Sequence, residues 1–226
     1  MPRGRYPARR RSRVPAASLQ SEYLIRWHGG ELYTHPEQFP RLISPDLFGN
    51  QQPLELEVGC GTGEFLCALA ARTPQVNYVG VDTSLKSLYR AVEQAAEHAL
   101  TNIKFIKANV KLLYPLLLPD SLPAVYLHYP VPEMTSRERR RGVISQAFLE
   151  QVQRALVPGG RLSIMTDEVR LFAEMLELAR ADQRFAIVPE GQFRLQLDEE
   201  LKSHHQRFWE ARGRPPMRFE VEKLPV

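Results

Sequence analysis

From residue 54 onward, short apolar runs alternate with longer stretches whose apolar positions recur at helical spacing. Residues 54–58 (LELEV) read as a strand closed by Gly59, and 65–71 as a compact apolar helix. A second strand over 76–81 precedes a long helix with polar and apolar faces over 85–99. Strands over 103–106 and 124–128 follow, with a short helix over 111–117 between them. A helix over 148–156 stops before Val157-Pro158-Gly159-Gly160, a breaker cluster that ends helices and turns the chain. A strand over 161–165 and an amphipathic helix over 169–180 come next. The last stretch reads as strands over 185–188 and 218–221, with 197–213 helical between them. This alternation predicts an α/β domain in which helices flank a mostly parallel sheet.

The organisation before residue 54 is different. Residues 1–17 hold six arginines (Arg3, Arg5, Arg9, Arg10, Arg11, Arg13) and no acid, so the other 209 residues carry −2 of the chain's +4. With so little apolar surface to offset ordering entropy, this stretch is predicted to be a disordered basic arm, either a solvated tail or a polyanion binder. Residues 18–50 scatter Tyr23, Trp27, Tyr33, Phe39 and Phe48 among polar residues and read as a preface packed on the edge of a domain spanning 51–226. With 43% apolar and 25% charged residues, a chain of 226 can bury a core without staples. Two cysteines, Cys60 and Cys67, exclude a disulfide framework and a zinc module built on paired cysteine motifs, and fit a reducing compartment. No apolar run approaches a membrane span. Pro2, Pro7 and Pro15 oppose the amphipathic helix of a transit peptide, so a cytoplasmic protein is expected, with no metal and no membrane partner.

Chemistry enters directly after the first strand, in Glu57-Val58-Gly59-Cys60-Gly61-Thr62-Gly63-Glu64. Glycines at alternate positions between a strand and a helix allow positive φ and let a ligand approach the backbone. A dinucleotide loop would require glycine where Glu64 stands, at a helix N-terminus that would receive a pyrophosphate. A carboxylate there repels a diphosphate but not a sulfonium cation, which favours S-adenosylmethionine over NAD or FAD. Asp82, nineteen residues beyond Gly63, ends the second strand and is placed to accept hydrogen bonds from ribose hydroxyls. Capping of the following helix explains Asp82 alone, but not together with Glu57 and the glycines. Asn109 offers its amide to the adenine edge, or else satisfies local backbone.

The glycine series, the acid-ended second strand and the L-x-P-G-G element together resemble class I methyltransferases. Leu56 to Glu64, Leu100-Thr101-Asn102-Ile103, Tyr129-Pro130-Val131-Pro132 with the following arginines, Thr166-Asp167, and Phe208-Trp209-Glu210-Ala211-Arg212-Gly213 narrow the likeness to the tRNA (guanine-N7)-methyltransferase family over about residues 52–223, leaving the first 50 outside. The resemblance implies a Rossmann-like class I fold with a seven-stranded sheet and one antiparallel strand near the end. It also implies S-adenosylmethionine on Glu57, Gly59, Gly61, Gly63, Asp82 and Asn109, although the family usually carries Glu and Asp at the last two positions. The partner it implies is tRNA, with a monomer or weak homodimer expected to bind it.

The loop after the fourth strand departs from the family. Val131 stands at the family's aspartate, Glu133 at its tryptophan and Thr135 at its lysine, so no catalytic residue is assigned; Arg207 replaces a threonine, while Asp167 and Glu210 are retained. Guanine N7 carries a free lone pair, so methylation there requires orientation rather than a general base. Arg137, Arg139, Arg140 and Arg141 form a cluster that is either a solvated face or an RNA-backbone contact; its place at the carboxyl end of a strand favours RNA. Arg207, Arg212, Arg214 and Arg218 are read as extending it. Thr135, the four clustered arginines, Asp167, Arg207 and Glu210 are thus the candidate substrate residues, with the two carboxylates converging on guanine donors. Three functions stay open: a tRNA guanine-N7 methyltransferase, a homologue that binds cofactor and RNA without turnover, or a methyltransferase with another substrate. His204-His205 lacks partners for a metal, His128 reads as a packed strand-end histidine, and neither cysteine has the setting of a nucleophile.

Overall fold

The computed structural model describes residues 13–130, 145–196 and 198–225. After α1 (Ala17–Tyr23) the chain enters β1 (Leu24–Ile25), then α2 (Gly29–Thr34) and α3 (Ser44–Phe48). Next come β2 (Leu54–Val58), α4 (Glu64–Arg72), β3 (Asn77–Asp82), α5 (Leu85–Glu97) and β4 (Ile103–Lys107). A 3-10 helix over Val110–Leu116 leads to β5 (Leu122–His128). The rest is α6 (Gln146–Ala155), β6 (Leu156–Thr166), α7 (Val169–Ala181), β7 (Phe185–Val188), α8 (His204–Glu210) and β8 (Met217–Lys223).

The strands form one sheet in the order β1-β4-β3-β2-β5-β6-β8-β7. All pairs are parallel except those of β8, which runs antiparallel to β6 and β7. The order reverses at β2, and a reversal of this kind opens a crevice at the carboxyl ends of the strands. Eight strands replace the seven expected. The extra one is β1, whose Leu24 and Ile25 lie opposite Phe105 and Ile106. Two residues carry no alternation to detect, yet they cover the backbone edge of β4.

Strand alternation sorts the core into two layers. Leu54, Leu56, Val58, Val125, Leu127, Leu162, Ile164, Phe219 and Val221 meet α6, α7 and the 3-10 helix. Tyr78, Phe105, Ala124 and Tyr126 face α1, α4 and α5. The second face also holds a polar stripe: buried Glu55 binds the Tyr126 hydroxyl at 2.7 Å and the Arg194 guanidinium. Buried Glu220 takes Arg218 and, at 2.8 Å, the Arg194 backbone N–H.

The breaker cluster acts inside a strand. Leu122 pairs with Leu156 but Ala124 with Arg161, so residues 157–160 loop out of a ladder that begins as soon as α6 ends. The helix expected over 197–213 contracts to α8, capped by Ser203, whose hydroxyl accepts the Gln206 N–H at 3.2 Å. Asp198 and Glu200 are instead held by Arg72 at 2.5 and 3.1 Å. Asn102 is structural: its amide donates to the carbonyls of Ala70 (3.1 Å) and Val76 (2.8 Å), joining the end of α4 to β3.

Gly63 is required by packing as much as by its φ of 75°. A Cβ there would stand 2.7 Å from Ala91 Cβ, in the seam between α4 and α5, whereas Gly59 (φ 80°) would meet nothing within 4 Å. Gly63→Ala is therefore expected to cost about 2–4 kcal/mol and Gly59→Ala only about 1 kcal/mol, the left-handed backbone term alone. Urea midpoints would check this; equal losses would show that the seam relaxes freely.

Candidate functional site

The carboxyl ends of β2 and β3 bring the predicted cofactor residues together. Glu57 is buried at the end of β2, and its Oε2 has no hydrogen-bond partner among the described residues. Burial, reinforced by the charge of Asp82, pushes its carboxyl up to about 8. Asp82 spans the loop: Oδ2 accepts the Gly61 N–H at 2.9 Å and Oδ1 the Ser84 N–H at 2.7 Å. It thus ties the glycine turn to the entry of α5, whose own cap is Ser84. Each oxygen keeps a second lone pair for a ligand hydroxyl. Gly59 and Gly61 present open space where a side chain would project, a cradle for a ligand that approaches the backbone. Asn109 accepts the Lys111 N–H at 3.0 Å through Oδ1, so local capping uses its side-chain oxygen.

Glu64 does not face the cradle with both oxygens. Its Oε2 accepts the backbone N–H of His204 at 2.6 Å, the first residue of α8. The charge expected to discriminate against a diphosphate thus remains at the start of α4 but is shared with a second helix.

The residues expected to meet the substrate begin at the carboxyl ends of β5 and β6. Tyr129 follows β5 with φ 50°, donates its backbone N–H to the Met165 carbonyl at 2.7 Å, and packs its ring on His205 with centroids 4.6 Å apart. Val131, Glu133, Thr135, Arg137, Arg139, Arg140 and Arg141 lie outside the described residues. Asp167, just beyond β6, meets His205 at 3.9 Å and Arg214 at 3.2 Å. The His205 ring and then the Arg214 charge hold its carboxyl below the usual range against the opposing effect of burial. Asp167, Glu168, Val169, Arg170, Arg214, Pro215 and Met217 line a cleft of about 400 Å³. Glu210 is held by Lys202 (2.9 Å) and Gln206 (2.9 Å). Burial raises its carboxyl, but these two donors outweigh that and leave it below the usual range. The two carboxylates predicted to converge on one base therefore each hold a separate set of protein partners.

The basic extension is corrected in part. Arg218 is half-buried and turned inward: it binds Glu220, the Leu195 carbonyl at 2.7 Å and Ser163 at 3.3 Å, so its guanidinium is engaged within the protein. Arg207 is turned to Glu199, through its carbonyl and, at 3.8 Å, its carboxylate. Arg212, exposed, lies 3.6 Å over Phe208, and Arg214, which lines the cleft, lies 4.6 Å over Trp209. His128 packs on Phe65 and Tyr126 and approaches Ser163 at 3.2 Å; burial, with Arg218 nearby, pushes it down to about 3, so it is neutral. Cys60 and Cys67 are buried thiols, the latter pushed up to about 12 by burial.

A family model described as "Putative methyltransferase" matches residues 51–211. A tRNA (guanine-N(7)-)-methyltransferase of Rubrobacter xylanophilus is 47% identical over 94% of this chain and 96% of its own length. One of Chloroflexus aggregans is 42% identical over 99% of each. The chain belongs to the tRNA (guanine-N7)-methyltransferase family. The first fifty residues, expected to fall outside the likeness, are within it, consistent with β1 being built into the sheet. Among solved structures, a Streptococcus mutans methyltransferase in complex with SAH shares the fold, with a TM-score of 0.52 at 15% identity over 77% of this chain and 90% of that one.

Within this methyltransferase, sequence reasoning missed His205 and Lys202 as partners of the two retained carboxylates. It also missed the Glu64 tie to α8. His205 and Lys202 each lie within eight residues of Glu210, but only the turn before α8 orients them. Nothing local signals that a carboxylate at position 64 binds a backbone N–H 140 residues away.

Proposed function

We infer that this enzyme transfers a methyl group from S-adenosylmethionine to N7 of a guanine in tRNA. Likeness to curated enzymes of that name over nearly the whole chain carries the reading. A buried, unpartnered Glu57 oxygen at the end of β2 and an open glycine turn directly after it fit a cofactor that presents cations and ribose hydroxyls. S-adenosylmethionine supplies the methyl, activated on a sulfonium sulfur. Glu57, Gly59, Gly61, Gly63, Asp82 and Asn109 would hold it. Asp167 and Glu210 are proposed to face the guanine edge, each exchanging part of its present ion pair for N–H donors of the base. Thr135, Arg137, Arg139, Arg140, Arg141 and Arg207 would follow the RNA backbone.

Val131 is compatible with turnover, because N7 needs no deprotonation and the protein's work is alignment in a site that excludes water. Among the described residues no helix is long and apolar enough to cross a membrane. Among the described residues the exposed large apolar side chains are Val14, Tyr33, Val169, Ile187 and Leu224; the protein is read as a cytoplasmic monomer or weak homodimer.

Methyl transfer from labelled cofactor to total tRNA, followed by nucleoside mapping, is expected to yield 7-methylguanosine. Another modified nucleoside, or none, would overturn the reading. Replacing Arg137 and Arg140 by Ala should lower the slope of log binding constant against log salt by roughly one to two, since each lost phosphate contact releases fewer counterions. Cofactor affinity should stay unchanged. An unchanged slope would make the cluster a solvated face.

A further inference from the structure

Helix α4 begins where the glycine turn ends, so its first residue is joined directly to the cofactor loop. That residue, Glu64, accepts the first N–H of α8 at 2.6 Å. Its carboxylate thus lies in the first turn of one helix and at the first N–H of another, where both positive ends favour an anion. Helix α8 carries Arg207, Glu210 and His205, and His205 reaches Asp167. A continuous line of contacts therefore runs from the cofactor loop through Glu64 and α8 to the carboxylates on the substrate side.

The rest of the segment before α8 is anchored elsewhere. Arg194 binds buried Glu55, Arg72 at the far end of α4 binds Asp198 and Glu200, and Leu201 is buried in the core layer against α4 and α5. The Arg194 and Arg72 pairs are made with acids outside residues 57–64. Glu64 is the tie in this set that joins the segment to the cofactor loop, and its loss leaves the other anchors in place.

We propose that Glu64 is a positioning residue that couples the two substrates: by holding α8 to the end of the glycine loop, it makes cofactor binding and tRNA binding mutually supportive. This rests on the functional reading above for the identity of the RNA. Ordering of the loop by a bound nucleoside fixes Glu64, and Glu64 fixes the orientation of α8. By linkage, the same factor must appear in the effect of tRNA on cofactor affinity.

The test measures tRNA affinity of the full-length protein with and without saturating S-adenosylhomocysteine, for the wild type, Glu64→Ala and Glu64→Gln. Wild type is expected to bind tRNA about tenfold more tightly when occupied, within the usual range of coupling between sites. In Glu64→Ala the ratio should fall to about one, while nucleoside affinity without tRNA changes less than about twofold. Glu64→Gln keeps the acceptor and should restore most of the ratio. In turnover, Glu64→Ala should raise KM for tRNA by about the lost factor, with a smaller effect on kcat. A wild-type ratio of one, or a Glu64→Ala protein that keeps the ratio, would overturn the proposal. So would equal weakening with and without nucleoside, the mark of a purely structural residue. The binding arm requires no turnover, so a wild type that couples binding but makes no 7-methylguanosine would fault the functional reading and leave Glu64 in its role.

Discussion

Glu57→Gln is expected to stabilise the cofactor-free protein at pH 8.5 by on the order of 4 kcal/mol and to do nothing for it at pH 4.5. The carboxyl has its ordinary value near 4.5 in the unfolded chain and is pushed up to about 8 in the folded one, because burial withholds solvent from the anion and Asp82 repels it. Below 4.5 both states are protonated and the native fold loses nothing to this group. Between 4.5 and 8 the unfolded chain releases the proton while the folded chain keeps it, so stability falls with rising pH. Above 8 the full penalty remains. Glutamine never ionises and escapes it. The same variant should lose affinity for S-adenosylmethionine, since a cation facing Glu57 draws the carboxyl into its charged form. Wild-type affinity should accordingly rise between pH 6 and 8, with proton release measurable by calorimetry in buffers of different ionisation enthalpy; the variant should show neither. Equal stabilisation at pH 4.5 and pH 8.5 would mean that the carboxyl is not the destabilising group.

Asp82→Ala is expected to weaken cofactor binding by about 2–4 kcal/mol, between thirtyfold and a thousandfold, through two charge-assisted hydrogen bonds to ribose. The present structure adds a second cost. Asp82 already accepts the Gly61 and Ser84 N–H groups, so its removal frees the glycine turn from the start of α5 and withdraws partners from two backbone donors. The turn then has to be ordered at the expense of binding. Asp82→Asn keeps one acceptor oxygen and should fall between wild type and Ala. Calorimetric titration decides: wild-type affinity in the Ala variant would remove Asp82 from the site, and a loss matched fully by Asn would show that charge, rather than loop order, carries the effect.

The glutamates of β2 show where local reading stops. LELEV alternates as a half-exposed strand would, yet every residue is buried. Position 55 meets Arg194, 139 residues later, and position 57 is enclosed as well. Arg218 likewise looks like part of a basic surface in sequence and is an internal cation balanced by Glu220.

What the residues by themselves determined are the features written between near neighbours. Strand runs, helical spacing, the breaker after α6 and the glycine turn with its flanking acids all depend on chain stiffness and local sterics, and they suffice for the fold class. Only the tertiary structure decided the rest. It paired Leu24-Ile25 with the edge of β4, confined the last helix to seven residues by drawing Asp198 and Glu200 to Arg72, and gave Asp167 and Glu210 separate partners. Each of these rests on an ion pair, hydrogen bond or strand pairing whose partner is set by how the sheet and its covering segments assemble. Such contacts leave no periodic trace along the chain, so their geometry is settled only when distant segments meet.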